Sequence, residues 1–309
     1  VGVAMLSVLA SGGRWRQLGI DLKANWRWIV AAEAIFLIAF LVFVYIRSLN
    51  PDLWHPARGG EKPMEFAYFN AIIKSTHFPA YDPWFAGGYI NYYYFGWVIF
   101  AAVVRLTAIV PAISFNLAVA TVFGLVILNA WSFAASAISF FSRYLRLRSV
   151  WYPIGLGLLG SLFVGVIGNL DMARRFGVGE MGFPPVANAG WFGLGSVGDI
   201  IRGVWRAIVD FRMVPLDAYW TPTRIIDGTV NEFPYFSMLF ADLHPHMMAI
   251  PFSLLAMVIA LGIVASHVWP EEPRAPIETG RCGEGGMRPR RSGQARRTRK
   301  KRPRSATRK

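Results

Sequence analysis

The chain has 309 residues, of which 54% are hydrophobic, 15% aromatic and only 16% charged. Soluble domains carry about 25% charge, so this composition excludes a water-soluble globular fold and predicts an integral membrane protein. The net charge of +14 does not point to nucleic acid, because 14 of the 32 basic residues but only two of the 18 acids lie in 274–309.

In chain order, residues 1–10 read as the end of a helix whose start is missing, as in a fragment of a longer protein. Arg14, Arg16, Lys23 and Arg27 then make residues 11–27 a short basic loop, expected on the cytoplasmic side. Residues 28–46 form the cleanest span, about 28 Å at about 1.5 Å per residue. Glu33 within it would cost about 3 kcal/mol at mid-membrane, and a snorkelling or protein-facing carboxylate is preferred to a proton relay. Residues 49–91 are a polar, Gly- and Pro-rich outside loop with a short helix at 64–75.

The stretch 92–109 is interrupted by Arg105 and followed by Pro111. It is read as juxtamembrane or a short span, since the positive-inside bias then places Arg143, Arg146 and Arg148 in the cytoplasm. Spans follow at 115–141, 150–167 and 247–268. Between the last two lies a second long outside region, with an amphipathic helix at 197–211. From 269 to 309 the sequence is basic and aperiodic, and disorder is expected. It is either a solvated tail or the product of a shifted reading frame. No aromatic residue interleaves its basic ones for base stacking, so no nucleic-acid partner is expected. Its Cys282 is the chain's single cysteine, which excludes disulfides and thiolate metal sites within the chain. The fold expected is all-α: a multi-pass helical bundle in the cell membrane, with two long non-cytoplasmic loops carrying short juxtamembrane helices.

Both polar loops therefore face one side, and three segments in them carry candidate chemistry. Glu61 and Glu65 are four apart, hence on one face of a helix, although acids at a helix start also complement its dipole. Asp82 lies in a Pro/Gly turn and either caps it or binds a ligand. Tyr92, Tyr93 and Tyr94, with Trp84 and Trp97, read as an interface belt or, more sharply, a sugar-stacking surface. In the third segment, Asp242, His244 and His246 offer three O or N ligands within five residues, suited to a divalent cation such as Mg²⁺ or Mn²⁺. The competing reading is a hydrogen-bonded network at a helix entrance. Arg224 is a phosphate partner or an ion pair with Asp227 or Glu232.

The stretches 60–72, 78–96 and 231–251 resemble the YYY membrane proteins, named for a tyrosine triplet. The resemblance covers about 28–266 and carries three motifs in order. More distantly, the layout is similar to GT-C integral-membrane glycosyltransferases, in which a first span is followed by an outside loop with an acidic residue. That likeness implies sugar transfer from a polyprenyl-phosphate donor at the non-cytoplasmic face. It places Glu65 nearest the expected acidic residue, where it would deprotonate the acceptor, with Glu61 second; the acidic doublet of some relatives is absent. Asp82, Tyr92, Tyr93, Tyr94, Arg224 and Glu232 are then substrate-binding candidates. Arg224, or a cation on Asp242 and His246, would neutralise the leaving phosphate. The lipid bilayer and a lipid-linked sugar donor are the expected partners. The rival readings are a transporter or channel, which predicts charges inside spans, and a non-catalytic protein of envelope assembly.

Overall fold

The computed structural model describes residues 15–54, 60–145, 149, 151–167 and 220–268. The expected helix at 197–211, the segment 1–10, Arg146, Arg148 and the tail 269–309 lie outside these. Among the described residues every regular element is helical, and strand pairing is limited to one isolated antiparallel bridge, Tyr81 with Tyr89. The helices are α1 (Trp15–Ala24), α2 (Trp26–Leu49), α3 (Lys62–Lys74), α4 (Phe95–Thr107), α5 (Pro111–Leu145), α6 (Trp151–Leu162), α7 (Pro234–Phe240) and α8 (Pro245–Val268). A π turn, Phe163–Ile167, prolongs α6, and a 3₁₀ turn, Thr221–Arg224, precedes α7.

Prolines set several of these starts. Pro111, Pro234 and Pro245 each open a helix, the position where a missing N–H costs nothing and φ is already helical. Two αL residues, Ala108 (φ 55°) and Ala241 (φ 61°), end α4 and α7. The turn after Ala108 lets α5 begin three residues later.

α5 is the spine. α2 runs antiparallel to it, as three contacts down their length record. Arg47 Nε donates to Asn116 Oδ1 at 2.8 Å, the Phe43 and Phe123 rings are 4.4 Å apart, and Trp28 meets Trp131 at 5.8 Å. α6 returns along the far part of α5, where Trp131 Nε1 donates to Ile154 O (2.9 Å) and Ser161 Oγ to Ile127 O (2.8 Å). Asn129 Nδ2 donates to Pro251 O at 3.2 Å, which fixes the register of α8 on α5.

Three helices, α2, α5 as far as Ser142, and α8, are long and apolar enough to cross a membrane. Their outward faces are apolar too. Ile38 and Leu41 on α2 and Phe252, Ile259 and Ile263 on α8 are all exposed, an arrangement that water penalises and hydrocarbon does not. Trp151–Ile167 and Phe95–Thr107 are shorter apolar helices. The 13 residues of α4 rise only about 20 Å, short of a hydrocarbon core of about 30 Å.

Arg105, which interrupts the apolar stretch in sequence, has a specific partner. Its guanidinium donates to Ile73 O and Ser75 O, both at 2.6 Å from Nη2, and so caps the C-terminal end of α3. Because Tyr68 and Trp97 also pack together (5.8 Å), α3 and α4 run side by side in the same direction. The outcome for the site is positional. The N-terminal ends of α3, α4 and α8 meet at one place, lined by the buried Glu65, Trp97, Leu243 and Met247.

Candidate functional site

Four local features build this meeting point. Gly60 takes φ +59°, and a Cβ there would sit 3.1 Å from both Asp242 carboxylate oxygens, so glycine favours this entry into α3 on both counts, backbone and space. Pro63 near the start of α3 then aims the first turn, placing Glu61 outside and Glu65 inside. Trp97 Nε1 donates to Leu243 O (3.0 Å), and Glu65 Oε2 accepts Leu243 N–H (2.7 Å). Leu243 is thereby held through both backbone groups, and its neighbours Asp242 and His244 are positioned with it.

Glu61 and His244, 183 positions apart, are in direct contact: His244 Nε2 lies 2.7 Å from Glu61 Oε2. Tyr92 O–H also reaches His244 Nε2, at 3.2 Å. From His244 the polar chain continues. Its Nδ1 is 2.9 Å from His246 Nδ1, His246 Nε2 is 3.4 Å from Glu232 Oε2, and Ser237 Oγ donates to that same oxygen at 2.7 Å. Among the described residues, Glu61, Glu65 and His244 each offer a ligand atom within 4.8 Å of the others. The two motif-bearing loops thus form one cluster at one end of the bundle.

The cluster is acidic and partly dry. Glu65 is wholly inaccessible, and its Oε1 has no hydrogen-bond partner among the described residues. Burial, then the Asp242 carboxylate, push its pKa well above the carboxylate range, with the Leu243 N–H acting the other way. Asp242 Oδ1 is likewise buried without a partner. Its pKa is pushed up to about 7, by burial first; Glu232 and Glu61 add to the rise and Lys62 opposes it. Glu232 moves in the opposite sense, below its ordinary value, chiefly through its hydrogen bond from His246. Lys62, itself buried, is pushed down by lost hydration, while Asp242 and Glu65 act to raise it.

The remaining expected site residues are dispersed. The three tyrosines diverge: Tyr92 stacks on Trp97 (5.9 Å) beside His244, Tyr93 is 80% exposed, and Tyr94 stacks on Phe78 (6.2 Å). Asp82 shapes a turn. Its Oδ1 accepts Trp84 N–H (2.8 Å), its N–H donates to Gly88 O (2.9 Å), and Tyr68 O–H reaches its Oδ2 at 3.4 Å. The Arg224 guanidinium lies over the Trp220 ring at 4.4 Å and donates to Thr223 Oγ1. Of the metal candidates Asp242, His244 and His246, His244 belongs to the close trio, and the other two flank it.

Lys62 and Leu243 were not legible as site residues, and Trp97, singled out for its ring, acts here through its indole N–H as well. Lys62 stands inside the first motif, next to Glu61; the Leu243 amide and the indole N–H leave no trace in composition or spacing.

A groove of about 720 Å³ opens beside the cluster, between the start of α4 and the start of α8. Its walls include Tyr92, Tyr94, Ile99, Pro245, Met248 and Phe252, and His246 lines it too. Gly96 leaves room for the Met248 side chain in the groove wall: a Cβ there would sit 2.6 Å from Met248 Sδ and displace it.

The profile of the uncharacterized membrane protein family DUF2298 matches residues 1–272. The chain belongs to that family. Comparison with curated proteins and with solved structures yields no match. For this DUF2298 member, membership and the three long apolar helices together establish a membrane protein.

Proposed function

We propose that the chain is a glycosyltransferase of GT-C type, acting at the non-cytoplasmic face of the cell membrane on a polyprenyl-phosphate-linked sugar. The observation that carries the reading is the Glu61–His244 contact at 2.7 Å beside an apolar groove that shares His246 with the polar cluster. An isoprenoid tail needs such a groove, and a sugar phosphate needs polar groups at its end. The distant likeness of the layout to GT-C proteins, a first span followed by an outside loop with an acidic residue, supports the same assignment.

In this reading the sugar C1–O bond to phosphate breaks, and a bond forms from C1 to the acceptor hydroxyl oxygen. The hydroxyl proton passes to Glu61, and polyprenyl phosphate leaves with the bonding electrons. Glu61 takes the base role because its side chain is 53% exposed, whereas Glu65 is sealed. His244 orients the Glu61 carboxylate, and Glu65 is a positioning residue acting through Leu243 N–H. Tyr92 and Tyr94 line the passage from lipid to polar cluster.

The test is turnover in liposomes by the purified chain, supplied with a panel of radiolabelled polyprenyl-phosphate hexoses and a panel of hydroxyl acceptors, glycans and lipid-linked saccharides among them. Wild type should cleave at least one donor, and Glu61→Gln should lower the rate about 10²–10⁴-fold, the usual contribution of a positioned base. Absence of cleavage across the panel, or an unimpaired Glu61→Gln variant, would reject the assignment.

A further inference from the structure

We propose that Glu61, Glu65 and His244 hold a divalent transition-metal ion, Mn²⁺ or Zn²⁺, through two carboxylates and one imidazole. This goes beyond sugar transfer and does not rest on it: ligand geometry and the burial of Glu65 carry it, and with an ion bound Glu61 would give one carboxylate oxygen to the metal and keep the other for a proton.

The first observation is proximity. One ligand atom from each residue lies within 4.8 Å of the others. Atoms bound to one ion at about 2.1 Å are within about 4.2 Å of each other, so small side-chain rotations bring the trio to bonding distance.

The second observation is independent of the first. Glu65 is fully buried, one oxygen is used by Leu243 N–H, and the other, Oε1, has no partner among the described residues. A buried carboxylate oxygen without a donor has lost its hydration and gained nothing in return, and an ion beside it would supply the missing partner.

The third is a count of hydrogens. Glu61, His244, His246 and Glu232 form a chain with three links, each needing one hydrogen. Two neutral imidazoles bring two. A metal ion at the Glu61–His244 end is one way to complete the chain, leaving the Tyr92 hydroxyl, 3.2 Å from His244 Nε2, beside the ion; a proton there, on His244 or on Glu61, is the other. With the ion there, His244 donates Nδ1–H to His246, and His246 donates Nε2–H to Glu232, which Ser237 also holds. A metal-bound imidazole is ordinarily fixed in this way through its second nitrogen.

The ligand set selects the ion. Imidazole disfavours Mg²⁺ and Ca²⁺, and the absence of thiolate disfavours the softest metals. Three protein ligands with an open side, where Glu61 is exposed, match sites that keep a position for water or a phosphate oxygen rather than closed structural ones.

The experiment uses the chain purified without a histidine tag, stripped with EDTA and titrated with Mn²⁺ alone, free Mn²⁺ being read by electron paramagnetic resonance. Wild type should bind one Mn²⁺ per chain, displaceable by Zn²⁺. Glu65→Gln and Glu61→Gln should each weaken binding at least tenfold, and Asp82→Asn should not. Should Glu65→Gln fail to fold, the exposed Glu61→Gln carries the comparison. Wild type that binds neither Mn²⁺ nor Zn²⁺, or binding that survives both Glu variants unchanged, overturns the site. Metal binding without donor cleavage would retain this site and remove the transferase; cleavage undiminished in EDTA, with no metal bound, would do the reverse.

Discussion

Asp242 and Glu65 each keep a carboxylate oxygen away from solvent and from any donor among the described residues. For both, folding strengthens proton binding. A carboxyl whose pKa is raised by folding contributes fully below the unfolded value, about pH 4, and that contribution is lost as pH rises through the folded value. For Asp242 the window therefore runs from about 4 to about 7, and the displacement is worth at most ~4 kcal/mol. Thermal unfolding in EDTA should show the melting temperature falling between about pH 4 and 7 and levelling off above that, and Asp242→Asn should flatten that fall. Parallel slopes for the two proteins would mean that Asp242 is not held in its protonated form. Which acid carries this burden was not readable from residue spacing. Glu61 and Glu65 look equivalent in sequence, four apart on one helical face. Their exposures differ because Gly60 and Pro63 turn the first α3 turn so that only Glu65 points at the Leu243 amide.

At the scale of elements, apolar runs and prolines were the legible part. The expected spans 28–46, 115–141 and 247–268 fall within α2, α5 and α8, all extended by a few residues. The expected helix 64–75 coincides closely with α3, whose first turn holds both Lys62 and Pro63. Pro111, which follows the apolar stretch 92–109 in sequence, opens α5, since a proline at the first helical position loses no bond. The role of Arg105 was hidden because its partners, two α3 carbonyls, are 30 and 32 positions away. Helix contact is governed by small residues, and a glycine in a list does not say what it meets. Gly160 of α6 faces α5 so closely that a Cβ would lie 2.5 Å from Ala134 Cβ and 3.1 Å from Ala130 O, whereas Gly155 meets nothing within 4 Å. Gly160→Ala should therefore force the helices apart at a cost of about 1–3 kcal/mol. Gly155→Ala should stay within about 0.5 kcal/mol of wild type. Melting temperatures of the two variants in one detergent decide this, and equal values would contradict the α5–α6 packing.

For the whole molecule, the consequential fact is that α2 ends and α8 begins at the same end of the bundle. α2 delivers the chain to Glu61, and α8 departs one residue after His244, with the two side chains in contact. Alternation of spans and the positive-inside bias had already put both loops on one side, because those rules concern the path of the chain. They say nothing of which residues touch once there. With α2 crossing the bilayer, the loop before it must lie on the opposite side from the cluster. Single cysteines in a Cys282→Ser background make this measurable. Lys23 lies in α1, a helix where residues 11–27 were expected to be a basic loop, and Lys23, His77 and Asp227 are all exposed, so Lys23→Cys, His77→Cys and Asp227→Cys probe the three segments without touching the core. In intact cells a membrane-impermeant maleimide should modify positions 77 and 227 but reach position 23 only after permeabilisation. Modification of 77 and 227 from opposite sides would separate Glu61 from His244 by the thickness of the membrane, and neither the metal site nor the transferase could then exist.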